Sequence, residues 1–195
     1  MALMRFGNFT SLTYMESSPS DSYANSPTFS FYGSTYTSKY IAFQGFELVA
    51  RDESTPLASL PSNYTGPFQQ YGGSSYPFIN IADRYVVSGA FYFPDQLDSK
   101  NWTQIIQLLS SNNVLSNEVI TSANAITAAI CKVAPNAPSS VCGNISISTL
   151  SGALVAYHPA GGLATQVTTE LVSPFAGETT HSTAKALIEN LARTT

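Results

Sequence analysis

The stretch SSYPFINIADRYVVSGA, beginning at Ser74, constrains this chain more tightly than any other. Pro77 has no backbone N–H and cannot donate to a ladder, so it belongs at a strand's first position or on an edge. Behind it, Phe78, Ile79, Asn80 and Ile81 read as a strand, and Tyr85, Val86 and Val87 as its return. Ala82, Asp83 and Arg84 read as the tight turn between them, and Ser88-Gly89 closes the unit. The result is a β-hairpin entered through an X-Pro bond, the one peptide type for which the cis form is cheap. On these residues alone Pro77 is an ordinary strand-entry proline.

Around this hairpin the pattern is mixed. Strands are expected near 9–15, near 28–32 and over 39–50, the latter two joined around Gly33. Residues 53–75 carry Pro56, Pro61, Gly66, Pro67, Gly72 and Gly73 and read as loop. LDSKNWTQIIQLLSS places Trp102, Ile105, Ile106 and Leu109 on one helical face. SNEVITSANAITAAICKV does the same with Val119, Ala123, Ile126, Ile130 and Val133, capped near Ser116. Beyond these, Ala153–Tyr157 reads as a buried strand, followed by the small-residue loop HPAGG, a helix-compatible segment to about Leu171 and a short helix over 182–193. This order describes an α/β or α+β chain with one sheet covered by helices. At the other end, Ala2 to Phe6 followed by Gly7 reads as the last turn of a helix with its C′ glycine. Such a helix is too short to stand alone, so Met1 is expected to be an internal methionine, the alternative being a frayed turn packed on the sheet.

Charged residues make up only 10% of the chain, against a usual ~25%, and Lys and Arg never cluster. With 12 acidic and 8 basic residues there is no electrostatic footprint for nucleic acid. The uncharged polar surface suits an extracytoplasmic or cell-surface protein, and equally a merely Ser/Thr-rich domain. Four sequons, at Asn8, Asn63, Asn101 and Asn144, have Ser or Thr in third place and no proline between, as glycosylation requires. They favour export, although no signal peptide opens the chain and no run of ~18 apolar residues is present to span a membrane.

Cys131 and Cys142 flank KVAPNAPSSV, where Pro135 and Pro138 favour a local disulfide from a helix end to the next segment. The alternative is two buried free thiols. No metal site is expected, since His158 and His181 add too few ligands at suitable spacing, and no cofactor is implied. No C-x-x-C occurs in the chain. His158 near Glu170 lacks a nucleophile motif, Asp95 and Asp98 read as helix-start residues, Asp83-Arg84 as turn chemistry and the spread-out tyrosines as strand packing, so no catalytic residue is assigned.

A strand, a proline-led hairpin, a glycine and then a helix resemble the C-terminal half of the thioredoxin-like fold. The phrases FGNFTSLTYMESSPSDSY, SPTFSFYGSTYTSKYIAF, YPFINIADRYVVSG, NWTQIIQLL and ANAITAAICKV with PSSVC resemble an uncharacterised archaeal family of that fold, over about residues 5–142. The resemblance implies a mixed sheet with covering helices, a domain over 1–142 and a C-terminal extension over 143–195. It implies that Pro77 takes the place of the fold's cis-proline and Tyr76 that of the residue before it, whose backbone holds an extended peptide in redox members. The N-terminal strand and C-x-x-C unit of the family has no counterpart here, and the segment from Ala153, with HPAGG, is the candidate to replace it in the sheet. Two functions follow. One is a redox-inactive extracytoplasmic binding or structural module whose partner is an extended peptide; the other is an extracytoplasmic thiol–disulfide oxidoreductase whose C-x-x-C lies upstream of Met1.

Overall fold

The polypeptide alternates short strand pairs with helices, and the reasons lie in local chemistry. The computed structural model describes residues 1–15, 26–72 and 76–154, and over these the chain is mixed α/β. In place of the single sheet expected it forms three two-stranded antiparallel sheets, because each strand is only three or four residues long and pairs within its own hairpin or ladder. Contacts divide it into two units, Met1–Thr65 with Tyr92–Leu154, and a second whose described part is 66–72 and 76–91.

In the first unit, β1 (Asn8–Thr10) pairs with β4 (Thr35–Thr37), and β2 (Thr13–Met15) with β3 (Thr28–Ser30). The two ladders follow one another, interrupted by Ser11-Leu12 on one side and the longer excursion 31–34 on the other. Gly33 takes φ +73° there, and the Ser34 N–H donates to the Phe31 carbonyl at 2.9 Å, so the extra residues close on themselves as a turn. Phe9 of β1 gathers rings around itself, lying 5.3 Å from Phe31, 4.8 Å from Tyr36 and 5.4 Å from Phe43.

The strand expected over 39–50 does not form. Ser38 ends β4 instead, because its hydroxyl accepts the N–H groups of Tyr40 and Ile41 (3.0 and 3.3 Å), which a ladder would otherwise need. Only an isolated bridge, Val49 to Pro56, remains of that run. Gly7 also has a different reason from the one expected. The turn before it is a 3₁₀ turn, Leu3–Arg5, and a Cβ at Gly7 would collide with the Thr37 carbonyl and lie 2.7 Å from Ser38 Cβ. Glycine is required there by the close approach of β4, not by a helix C-terminus.

The helices carry the core. α1 (Ser62–Pro67) is one short piece. α2 (Trp102–Ser110) and α3 (Val114–Val133) each open with a reciprocal capping box: Asn101 Oδ1 accepts from Gln104 N–H at 3.0 Å, and Asn113 Oδ1 from Ser116 N–H at 2.9 Å. The N-cap of α3 is thus Asn113 rather than Ser116, which is the returning partner of the box. Likewise α2 starts from Asn101, with Asp95 in a separate 3₁₀ turn, Pro94–Leu97, and Asp98 at that turn's end. On α3, Ala123, Thr127, Ala128, Ala129 and Ile130 are buried; Ile106 on α2, expected on the inner face, is exposed. Fully buried Thr127 donates to the Ala123 carbonyl at 2.7 Å and accepts from Arg5 Nη1 at 2.8 Å, which ties the first turn of the chain to the core helix.

α4 (Ser139–Cys142) and α5 (Ile145–Ala153) follow, with Ile147 and Leu150 of α5 buried and α5 packed against α3. Cys131 and Cys142 are joined, their Cα atoms 5.7 Å apart, which links the last turn of α3 to the end of α4. A loop this short contributes about 3 kcal/mol in the chain-entropy picture. Ala153, expected to begin a strand, is the last residue of α5, whose N-cap Asn144 and buried Ile147 and Leu150 set a helical period. Leu154, expected in the same strand, is the C-cap of α5, its N–H donating to the Leu150 carbonyl. Residues 155–157, HPAGG, the helix to Leu171 and the helix over 182–193 lie outside the described residues, as do His158, Glu170 and His181.

α3 has the length and, with a mean hydropathy of 1.2, the composition of a membrane span. Its buried Ser116 and Thr127, its Glu118 and its packing on α2 and α5 describe a core helix, and no clear span is present among the described residues.

In the second unit, a π-helical turn (Phe68–Gly72) leads toward β5 (Phe78–Ile81) and β6 (Tyr85–Ser88), the hairpin legible in the sequence. Its turn carries Ala82 and Asp83 at φ 52° and 54°, the positive values that a type I′ turn demands at both central positions. The Arg84 N–H donates to the Ile81 carbonyl at 3.1 Å, and Asn80 Oδ1 accepts from the Asp83 N–H at 3.0 Å. The Asn80 side chain therefore satisfies the backbone of the turn it precedes.

Candidate functional site

Tyr76 and Pro77 stand at the mouth of the hairpin. The bond between them is cis, and the Pro77 carbonyl accepts from the Gly89 N–H at 3.0 Å. That bond continues the β5–β6 ladder one pair beyond Phe78↔Ser88. Because bonded and non-bonded pairs alternate in an antiparallel ladder, the backbone groups of Phe78 and Asn80 face the outer side of β5. Among the described residues no strand pairs with that side.

Tyr76 is 62% exposed, with its ring centroid 5.7 Å from that of Phe68. Phe68 in turn meets Phe78 edge-on at 5.4 Å. An exposed aromatic step thus sits beside unpaired strand edge, the two surfaces an extended peptide uses: backbone for hydrogen bonds and an apolar shelf for one side chain.

The four sequon asparagines are all exposed, but they sit in different settings. Asn8 is on β1 and Asn63 on α1, whereas Asn101 and Asn144 are N-caps that accept through Oδ1, from Gln104 and Ser146. In the two caps the amide nitrogen, the atom that carries a glycan, stays outside the capping bond.

Elsewhere the chemistry is sparse. Among the described residues no group of three or more His, Cys, Asp or Glu gathers as a metal set. Asp52, although solvent-exposed, accepts from the Thr55 hydroxyl (2.6 Å), the Thr55 N–H (2.8 Å) and the Ser54 N–H (2.9 Å), which holds its carboxyl at about 2. Those bonds stay inside the loop and shape it. Burial pushes the Tyr92 phenol above its ordinary range. A shallow groove of about 490 Å³ runs beside α2, lined by Asp98, Lys100, Gln104 and Leu108 among others.

One grouping had no signal in the sequence. Tyr14, Phe29 and Trp102 form a surface ring cluster, with centroids 5.1 Å (Tyr14–Phe29), 4.5 Å (Phe29–Trp102) and 6.0 Å (Tyr14–Trp102) apart. Only the Tyr14↔Phe29 pairing of β2 with β3 and the start of α2 bring these distant positions together.

The family model for a domain of unknown function, DUF929, matches residues 1–132, and the chain belongs to that family. No curated protein and no solved structure matches the chain.

Proposed function

We propose that this chain is an extracytoplasmic module of thioredoxin-like fold, redox-inactive in itself, that binds an extended peptide along the edge at Tyr76–Pro77. One observation carries this reading: an exposed tyrosine resting on Phe68 lies beside the outer side of β5, with which no strand pairs among the described residues. The thioredoxin-like assignment is supported by the order of a proline-led antiparallel hairpin followed by helices. Among the described residues β5–β6 is a sheet of two strands, so the assignment requires a further strand beside β6 from the rest of the chain. Amide exchange that finds the outer N–H groups of β6 unprotected in the full chain would overturn it. Export is supported by the low charge, the four exposed sequon asparagines and the Cys131–Cys142 bond. The chain holds no C-x-x-C and both of its cysteines are joined, which supports a binding role rather than disulfide exchange.

Fluorescein-labelled peptides of alternating β-branched and polar residues, followed by anisotropy, test the binding edge. Tyr76→Ala is expected to weaken the best binder about tenfold, the equivalent of ~1.4 kcal/mol. Equal affinity would remove the site. Reduction of a disulfide substrate by the protein from its source cells would instead favour the oxidoreductase, and free thiols at Cys131 and Cys142 in that material would overturn the export reading.

A further inference from the structure

We infer that Asn101 carries a glycan and that its first sugar lies on the ring cluster of Tyr14, Phe29 and Trp102. The inference rests on the export reading above, since an N-glycan is added outside the cytoplasm.

The asparagine is presented for the reaction. Its Oδ1 is held by the Gln104 N–H, and its own N–H donates to Gln104 Oε1 at 2.9 Å, so the capping box fixes the side chain. Nδ2 takes no part in the box. Glycosylation joins Nδ2 to the anomeric carbon of a saccharide activated as its lipid-linked phosphate ester. The carbon–oxygen bond to phosphate breaks, the phosphate leaves with the electron pair, and one amide proton passes to water. Oδ1 remains an acceptor, so the cap of α2 survives the modification.

The neighbouring surface fits what would then lie there. Tyr14 is 67% and Phe29 41% exposed, and their rings meet each other and Trp102 to make one contiguous aromatic patch. Trp102 follows Asn101 directly, with Cα atoms about 3.8 Å apart, and side chains at a helix start lean back toward the N-terminus. The indole Nε1 is closed off from solvent and has no hydrogen-bond partner among the described residues. What Trp102 offers outward is its carbon face, not a donor. Such a face, negative at its centre, suits the positively polarised C–H side of a pyranose ring. The tether to Asn101 supplies the occupant without a separate binding event.

The other sequons differ. Asn8 and Phe9 point to opposite faces of β1, and Ile145, beside Asn144, is exposed and joins no ring pair among the described residues. Asn63 has the Tyr64–Phe46 ring pair beside it, at 5.3 Å, but lies inside α1 rather than in a capping box that would fix its side chain. The pairing of a fixed asparagine with an exposed ring cluster belongs to Asn101.

Trp102 is the single tryptophan of the chain, so its fluorescence reports this patch alone. The experiment compares acrylamide quenching in the full chain purified from its source cells with that of Thr103→Ala. This variant destroys the sequon and leaves the Asn101–Gln104 box intact. Thr65→Ala, which removes the Asn63 sequon, is the control. Quenching is expected to rise about twofold in Thr103→Ala, as one covered ring face is freed, and to stay unchanged in Thr65→Ala. Mass spectrometry of the same samples is expected to find the glycan on Asn101. Glycan at other sequons but not at Asn101, or equal quenching in Thr103→Ala, overturns this inference alone. Glycan at none of the four overturns the export reading and this inference with it.

Discussion

The helices α2, α3 and α5 and the paired strands of this protein are held by opposite means. Each of the three helices begins at an asparagine whose Oδ1 takes a first-turn N–H, and together they bury Ile105, Ala128, Ile130, Ile147 and Leu150. Local preference and core packing agree there. The strands are three or four residues long, paired two by two, with few buried side chains. Two-stranded pairs of that length are marginal in water. They persist because of ring contacts and turn geometry, including non-glycine residues in the left-handed region: Ser11, Ala82 and Asp83. Stability therefore resides in burial on the helical side, and in turns and close backbone approaches on the strand side.

The strongest way to break that contrast is Ile130→Ala. It empties a buried site on α3 and is expected to cost about 2–5 kcal/mol, measured by denaturant unfolding followed through Trp102 emission. A cost below about 1 kcal/mol would mean that the helices do not dominate. Next comes Gly7→Ala on the strand side. The new methyl must push Thr37 and Ser38 away, at about 1–3 kcal/mol, and the loss should be accompanied by exchange of the β1 and β4 amides.

Smaller effects sharpen the comparison. Asn113→Ala removes one half of the α3 capping box and should cost about 1 kcal/mol in the same unfolding measurement. Ala82→Gly moves the other way. It relieves a left-handed alanine but adds unfolded-state freedom, leaving a net gain of about 0.5 kcal/mol, read as slower hydrogen exchange of the Arg84 amide. Last is the Asp52 loop. The Thr55 hydroxyl, then the Thr55 and Ser54 amides, stabilise the charged carboxylate, so its folded value of about 2 lies below the unfolded one. Its contribution is full above about pH 4, the unfolded carboxylate range, and fades as pH falls through about 2. Carboxyl-detected NMR should find this titration, and Thr55→Val should move it upward.

The hairpin was readable because everything that makes it is consecutive: the proline, two β-rich runs and Asn80 serving the turn beside it. The same holds for the cysteine pair and for the existence of α2 and α3. The run 39–50 has the composition of a strand, but among the described residues it pairs only at its end, through the Val49–Pro56 bridge, and one serine hydroxyl claims the amides that would begin it. Composition alone could not report that competition.

Of the candidate site, the sequence supplied Tyr76, Pro77 and the asparagines, because residue types and short spacings are enough to name them. It could not supply the shelf of Phe68 under Tyr76 or the cluster of Tyr14, Phe29 and Trp102. Local order, helix starts and turn types were determined by the sequence itself, since they depend on interactions within a few residues. Which glycine must be bare, which face of α2 is buried and which rings share a surface were decided only by tertiary structure. Those outcomes depend on excluded volume and contact between segments far apart in the chain, and no local pattern encodes them.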